Sequence, residues 1–225
     1  DENGGLSAVS IANNGALVVD RTDNLALSSA ISGSGTLTKN GSGTLILSGA
    51  NSYSGATTVI AGSLEIDGTS SGAGAVTTAA DTVLGGSGTV SGAVTVGGQL
   101  NPGTAAAPGT FNANGGLTLN SGSTLNFDLN AADASNPALN DSVNVMGDLH
   151  LNNNTITANF NGTPQPGASY LLFTYTGTLS GSFNPTILGT HFTATVDTSA
   201  QGYVYLTITG GAGSALEWGS LYDST

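Results

Sequence analysis

The sequence contains no cysteine, and only two of its 225 residues, Arg21 and Lys39, are basic. The lack of cysteine excludes a disulfide framework and any thiolate metal site. Nucleic-acid binding needs several Lys or Arg side chains to neutralise phosphates, and attachment to anionic lipid needs a polybasic cluster. Because 14 acidic residues give a net charge of -12, both of these partners are excluded.

Long apolar runs and aromatic residues are also scarce. No stretch holds 18 consecutive apolar residues, so the sequence predicts no transmembrane helix. The start of the chain, Asp1–Gly4, does not read as a signal peptide, so we expect any export signal to have been removed or to lie outside this sequence. Only 7% of residues are charged and 38% are hydrophobic, which argues against disorder. Since aromatics make up 6%, the predicted core is aliphatic and narrow.

What the sequence has in abundance is a glycine-rich repeat. Leucines lie 8 residues apart in three pairs, Leu17 with Leu25, Leu37 with Leu45, and Leu117 with Leu125. The segment GTLTKNGSGTLIL around the second pair matches GGLTLNSGSTLNF around the third. Two strands joined by a short Asn/Gly/Ser turn, recurring about every 20 residues, predict a β-solenoid whose coils stack.

A globular β-sandwich is the competing interpretation, because short strands with regular turns occur there as well. It is less favoured, since residues 1–130 contain Tyr53, Phe111 and Phe127 as their only aromatic residues. Helices are not expected, because glycine or β-branched residues interrupt every apolar pattern with a 3.6-residue period.

The C-terminal part has a different texture. Ala131–Asn140 reads as a loop, and the segment after it alternates apolar and polar residues. Aromatic residues concentrate here: Phe160, Tyr170, Phe173, Tyr175, Phe183, Phe192, Tyr203 and Tyr205. A solenoid needs its last coil covered, so this section is predicted to be a cap. The resulting division is a repeat region (1–137), a cap module (138–210) and a tail or linker (211–225).

One continuous segment resembles a known family. LTKNGSGTLILSGANSYSGATTVIAGSLEI is similar to the passenger-associated transport repeat of autotransporters, also called the autotransporter-associated β-strand repeat. The matching positions are Lys39, Gly41, Gly43, Thr44, Leu45, Ser48, Gly49, Asn51, Tyr53, Gly55, Thr57, Thr58, Val59, Gly62 and Leu64. Residues 138–210 are more loosely similar to the module that closes the β-helix in such proteins. The resemblance implies a right-handed parallel β-helix, an extracellular or bacterial cell-surface location, and no catalytic residues.

The acidic, glycine-rich composition raises the question of calcium. The calcium-binding nonapeptide needs an aspartate in the turn of each repeat, and Gly85–Val90 has the glycines without it. Asp20 with Asp23, or Asp141 with Asp148, could chelate an ion if the fold brought them together. We expect instead that these are solvated turn carboxylates, and we predict no metal and no cofactor.

Catalysis is also not expected. Polysaccharide lyases and hydrolases of the β-helix type need paired carboxylates or a basic residue near a carboxylate. Arg21 and Lys39 have no evident carboxylate cluster, and His150 and His191 are isolated on strand-like runs. No G-x-S-x-G motif lies between a strand and a helix. A polysaccharide-active enzyme is therefore the third hypothesis for function.

The last segment, ALEWGSLYDST, follows a glycine-rich break and is apolar for a tail. It is either a linker to a further domain or a docking segment that adds a strand to a neighbour, with Trp218, Leu221 and Tyr222 as its contact residues. The leading hypothesis is a non-catalytic stalk or adhesin-type passenger segment that binds a host or matrix glycan or protein. The alternative is a filament subunit that self-associates end to end.

Overall fold

The computed structural model describes residues 10–104, 107–188 and 192–210, and within these ranges every regular element is a β-strand. The strands lie in eight successive coils, each of which contributes three strands. No helix in the described part is long and apolar enough to cross a membrane.

The strand bounds follow the coils in order. Coil 1 holds β1 (Ser10–Ala12), β2 (Ala16–Val19) and β3 (Leu25–Leu27); coil 2 holds β4 (Ala30–Ser32), β5 (Thr36–Lys39) and β6 (Thr44–Leu47); coil 3 holds β7 (Ala50–Asn51), β8 (Thr57–Val59) and β9 (Ser63–Ile66); coil 4 holds β10 (Thr69–Ser70), β11 (Val76–Thr78) and β12 (Val83–Gly86). Coil 5 holds β13 (Thr89–Val90), β14 (Val94–Val96) and β15 (Gln99–Pro102); coil 6 holds β16 (Thr110–Ala113), β17 (Leu117–Leu119) and β18 (Thr124–Asn130); coil 7 holds β19 (Ser142–Val145), β20 (Leu149–His150) and β21 (Asn154–Asn161); coil 8 holds β22 (Ser169–Tyr175), β23 (Leu179–Ser180) and β24 (Phe183–Leu188). β25 (Thr193–Asp197) and β26 (Tyr203–Gly210) follow as a hairpin.

Equivalent strands of successive coils pair in parallel on three faces. Sheet I contains the first strand of each coil, with an interruption of the pairing between β4 and β7, whereas sheet II (the second strands) and sheet III (the third strands) are continuous. Ser10 pairs with Ala30 in the next coil. The step is longer between Asn112 and Asn144, because the coils near the C-terminus carry longer loops. The predicted parallel β-helix, with the coil length that the leucine spacing indicates for its repeat region, is confirmed.

The number of strands in a coil differs from the prediction. The leucine spacing predicts two strands per repeat, whereas each coil has a third strand on the face of sheet I. These extra strands are as short as two residues, such as Ala50–Asn51 and Thr69–Ser70. A two-residue strand carries no apolar alternation, so hydrophobic periodicity could not reveal it.

A column of aliphatic side chains runs through the core beneath sheet III. Its members pair in register from coil to coil and are all buried: Leu25, Leu45, Leu64, Leu84, Leu100, Leu125 and Ile156. Each fully buried leucine contributes about 1.5–3 kcal/mol relative to an exposed one. The leucine spacing seen in the sequence is therefore the spacing of this column.

The C-terminal end of the column is covered by the predicted aromatic-rich section. β26 pairs antiparallel with β22 and with β25, and it buries Val204, Leu206 and Ile208. Phe160 makes T-shaped contacts with Tyr170 and Phe192, with ring centroids 5.0 and 4.9 Å apart. The change from parallel to antiparallel pairing ends the stack. The division at residues 137 and 210 stays a prediction.

A second column, of glycines, lies at the corner between sheets I and II. Its members shortly precede the sheet II strands: Gly15, Gly35, Gly55, Gly74, Gly92 and Gly115. A Cβ added at Gly55 would lie 2.2 Å from the carbonyl oxygen of Gly35, and one at Gly74 would lie 2.0 Å from that of Gly55. From coil 2 onward no side chain fits in this column, because the backbone of the preceding coil already occupies the space.

We expect Gly55→Ala to lower the free energy of unfolding by about 2 kcal/mol or more, because the backbone of coil 2 must move to admit the methyl group. Gly15→Ala is the matched control. A Cβ there meets no described atom within 4 Å, so this change should be neutral or stabilise by about 0.4–1 kcal/mol. Urea unfolding of both variants checks the difference, and equal effects would contradict the glycine-column explanation.

Whole coils should be removable, because Thr69 occupies in coil 4 the register position that Ala50 occupies in coil 3. Deleting residues 50–68 should leave a folded β-helix that is shorter by one inter-strand step of about 4.8 Å, measured by small-angle X-ray scattering. Deleting residues 50–59 should abolish folding, because a sheet III strand would then enter sheet I. Circular dichroism distinguishes the two, and loss of folding in both deletions would refute the modular stack.

Candidate functional site

A cleft on the outer face of sheet III is the best candidate site in the described part of the chain. Glu65, Gly85 and Asn101 are paired neighbours on three successive strands of that sheet. Alternation points the flanking leucines, Leu84 and Leu100, into the core, so this row faces outward. Since Gly85 has no side chain, the row has a gap between Glu65 and Asn101.

The gap forms the floor of a cleft of about 280 Å³, which we call the Gly85 cleft. Its lining comes from sheet III and from the segments after β15 and before β19: Thr44, Ser63, Leu64, Glu65, Val83, Gly85, Asn101, Pro102, Gly103, Thr104, Asn126, Asp128 and Asp141. The lining contains three carboxylates and no basic side chain. Its electrostatic potential is therefore negative.

Asp141 is the most buried carboxylate of the cleft, with 2% of its surface exposed. One of its oxygens accepts a hydrogen bond from the Gly109 N–H and the other from the Asp128 N–H, each at 2.8 Å. Burial raises the pKa of Asp141 to about 7, against the lowering effect of these two bonds, and the nearby Asp128 raises it further. Burial, with a smaller contribution from Asp67, also raises the pKa of Glu65.

Asn101 is the unusual polar group of the cleft. Its side-chain oxygen Oδ1 is completely buried and has no hydrogen-bond partner among the described residues. Nearly all buried polar atoms in proteins are paired, and leaving one unpaired costs about 1–3 kcal/mol. Asn101 therefore carries an unsatisfied acceptor next to the cleft, and a ligand donor would satisfy it once the amide rotates toward the cleft.

Asp23 and Asp148, two of the aspartates considered for calcium, each interact with a different part of the protein. Asp23 forms an exposed ion pair with Arg21, with Nη2 and Oδ2 2.5 Å apart, and this hydrogen bond lowers the pKa of Asp23. Asp148 accepts bonds from the Thr178 N–H and hydroxyl at 2.7 and 2.8 Å, which lower its pKa. Among the described residues, no group of three or more His, Cys, Asp or Glu side chains could hold a metal ion.

The remaining basic residue and the described histidine also have structural contacts. Lys39 is buried between Val19 and Val59 of the neighbouring coils, and its Nζ donates to the carbonyl oxygens of Gly41 and Ala61. Its burial lowers its pKa. On the surface, the Nδ1 atom of His150 lies 2.6 Å from the Ser180 hydroxyl.

Several predicted positions lie outside the described residues: His191 and the tail candidates Trp218, Leu221 and Tyr222. The sequence reasoning in turn missed Glu65, Gly85 and Asn101. The available signal was the Gly85–Gly86 pair inside a strand, since glycine in a strand interior often marks a close approach of a ligand or another backbone.

Two motif residues show how the repeat closes its turns. Asn51 replaces an apolar residue in the core, where its Oδ1 accepts from the Ile31 N–H at 3.0 Å and its Nδ2 donates to the Gly49 carbonyl at 3.1 Å. The Tyr53 hydroxyl lies 2.6 Å from that of Thr57, buried beside it. The motif therefore encodes buried hydrogen bonds within and between coils.

Comparisons with known proteins agree with this geometry. The passenger-associated-transport-repeat family matches residues 37–66, the segment that holds Lys39, Asn51 and Tyr53. A relative from Brucella suis biovar 1 (strain 1330), the adhesin BmaC autotransporter, is 44% identical over 158 residues, which is 68% of this chain and 5% of the relative. The chain thus spans a small fraction of that protein's length.

The stacked coils and the matched motif together define a parallel β-helix of the passenger class. The chain carries the passenger-associated-transport repeat and is a β-helical segment of the autotransporter passenger type. Its location is extracellular or at the bacterial cell surface.

The stability of the fold should fall as the pH rises from 5 to 8. Asp141 has a folded pKa of about 7 and an unfolded pKa of about 3.9, so the folded state binds the extra proton between these values. Its contribution is present below pH 4 and is lost as the pH rises through 7. Urea unfolding should show a decrease of about 2–3 kcal/mol across this window.

Asp141→Asn should flatten that slope, because the titrating group is gone. If the variant does not fold, the pH dependence of the free energy of unfolding of the unchanged chain is a sufficient test of the raised pKa of Asp141. Stability that stays level or increases from pH 5 to pH 8 would contradict the assignment.

Proposed function

We propose that this chain is a non-catalytic structural segment of a surface passenger, a stiff stalk with an adhesin-type role. The observation that carries the proposal is the continuity of sheets II and III through all eight coils. Seven inter-coil steps at about 4.8 Å give a stack roughly 34 Å long. Each coil donates backbone hydrogen bonds to its neighbours and buries one layer of the aliphatic core, so bending the stack would break many contacts at once.

The described carboxylates support a role without catalysis. Asp141 is 2% exposed and both of its oxygens accept backbone hydrogen bonds, so little of this carboxyl group is accessible to a substrate. The lining of the Gly85 cleft has no histidine or basic residue to work beside the remaining carboxylates. The relative's name, adhesin, together with the net charge of -12, favours a partner that is neutral or basic, such as a host or matrix glycan or protein.

A filament subunit is the second candidate, because coil 1 offers an edge for stacking. Among the described strands, β2 pairs only with β5 and β3 only with β6. Unpaired strand edges are templates for another chain, and a head-to-tail contact that does not close produces fibres. The tail with Trp218, Leu221 and Tyr222 would then be the docking segment.

Negative-stain electron microscopy over a concentration series, combined with adhesion of protein-coated beads to cultured cells, tests these proposals. Separate rods whose beads bind cells support the adhesin role, and rods without binding support a stalk. Concentration-dependent fibres that vanish when residues 212–225 are removed support the filament. Compact globular particles would refute all three. Beads coated with an unrelated protein of equal negative charge are the control.

A further inference from the structure

The Gly85 cleft is a built feature of the surface, because its floor cannot carry a side chain. A Cβ at Gly85 would lie 2.9 Å from the carbonyl oxygen of Asn101. The neighbouring strands have Glu65 and Asn101 at the same register position. The missing side chain therefore leaves a cavity whose two ends are an acidic and an amide side chain.

Every polar side chain of the cleft can accept a hydrogen bond, and the charged ones can only accept. Glu65 and Asp128 offer carboxylate oxygens, and Thr44 and Ser63 offer hydroxyls. Asn101 adds an amide whose buried oxygen has no partner in the described part of the chain. This oxygen has no accessible surface, so a ligand donor reaches it only if the amide rotates toward the cleft, and no donor among the described residues holds the oxygen in place. A ligand rich in donors complements this set.

The charge and size of the cleft further restrict the class of ligand that it can bind. An anionic group would meet Glu65 and Asp128 without a nearby cation, so anionic ligands are excluded. A metal ion lacks a set of three ligands among the described residues, and Asp141 already uses both oxygens. A cleft of about 280 Å³ is at the small end for organic ligands, which suits one sugar ring.

We propose that the Gly85 cleft binds one hexose-sized sugar unit that carries a free amino group. The ammonium group lies toward Glu65, where it forms charge-assisted hydrogen bonds, while Asp128, three strands away in sheet III, lies toward the hydroxyls on the opposite side of the ring. A ring hydroxyl satisfies the amide of Asn101. This inference deepens the proposed adhesin-type role by naming a ligand class, and it rests on that role for its biological meaning.

Isothermal titration calorimetry of the full chain tests the proposal with glucosamine, glucose and glucuronate as probes. Glucosamine should bind at least tenfold more tightly than glucose, and glucuronate should not bind. Higher salt should weaken the binding, since part of it is electrostatic. Equal binding of glucosamine and Nα-acetyl-lysine amide would overturn the proposal, because the site would then recognise any ammonium group.

Three substitutions test whether the sugar binds in the Gly85 cleft. Glu65→Gln should lower the affinity for glucosamine at least fivefold, whereas Asp20→Asn removes the same charge outside the cleft and should leave it within twofold. Asn101→Val should also lose binding, yet raise the melting temperature, because it removes an unpaired buried oxygen. If Asn101 had only a structural role, Asn101→Val would instead lower the melting temperature. Equal affinity in Glu65→Gln and Asp20→Asn would overturn the proposal.

Comparing calorimetry with cell binding separates this inference from the proposed function. No binding of glucosamine in calorimetry, together with rods that still bind cells, would overturn the sugar site and leave the adhesin role standing. Loss of cell binding in the presence of glucosamine, or in Glu65→Gln, supports both.

Discussion

The direct contact of backbone with backbone between successive coils is the constraint on which the rest of this structure depends. Parallel strands pair at about 4.8 Å, and at the corner between sheets I and II the chain turns within that distance. The carbonyl oxygen of Gly35 then occupies the position where a Cβ of residue 55 would lie, and the carbonyl of Gly55 does so for residue 74. Glycine at this corner is a steric requirement, and it recurs with the period of the coils.

The same close stacking explains why polar side chains lie in a core of leucine and valine. Corners, and the break in sheet I between β4 and β7, leave backbone groups without a backbone partner in the next coil, and burying them unpaired would be costly. Asn51 and Lys39 supply the missing acceptor and donors in the repeat region. Asn154 does so in coil 7, where its Nδ2 donates to the carbonyl of Asn120 at 2.9 Å. Cohesion of the stack therefore depends on these few buried polar groups as well as on the apolar column.

The fold could be predicted from the sequence to the extent that it repeats. The spacing from Leu45 to Leu64, and from Leu64 on to Leu84, is the register of sheet III. The short strands of sheet I could not be predicted, because two residues show no alternation. The cleft was missed for a related reason. Asp141 is far from Asn101 in the chain, and only the loops after β15 and β18 bring them together.

The site arises where the repeat is broken. In coils 1 to 4 the register step of sheet III barely changes, so the outward positions form a regular surface. At Gly85 one side chain is missing from that surface, and the longer coils that follow add Asp128 and Asp141 beside the gap. An irregular coil can keep an unpaired amide such as Asn101, since the stability of its neighbours offsets the cost. In a stacked protein of this kind, recognition is thus expected at departures from the repeat, while the repeat itself provides the rigidity.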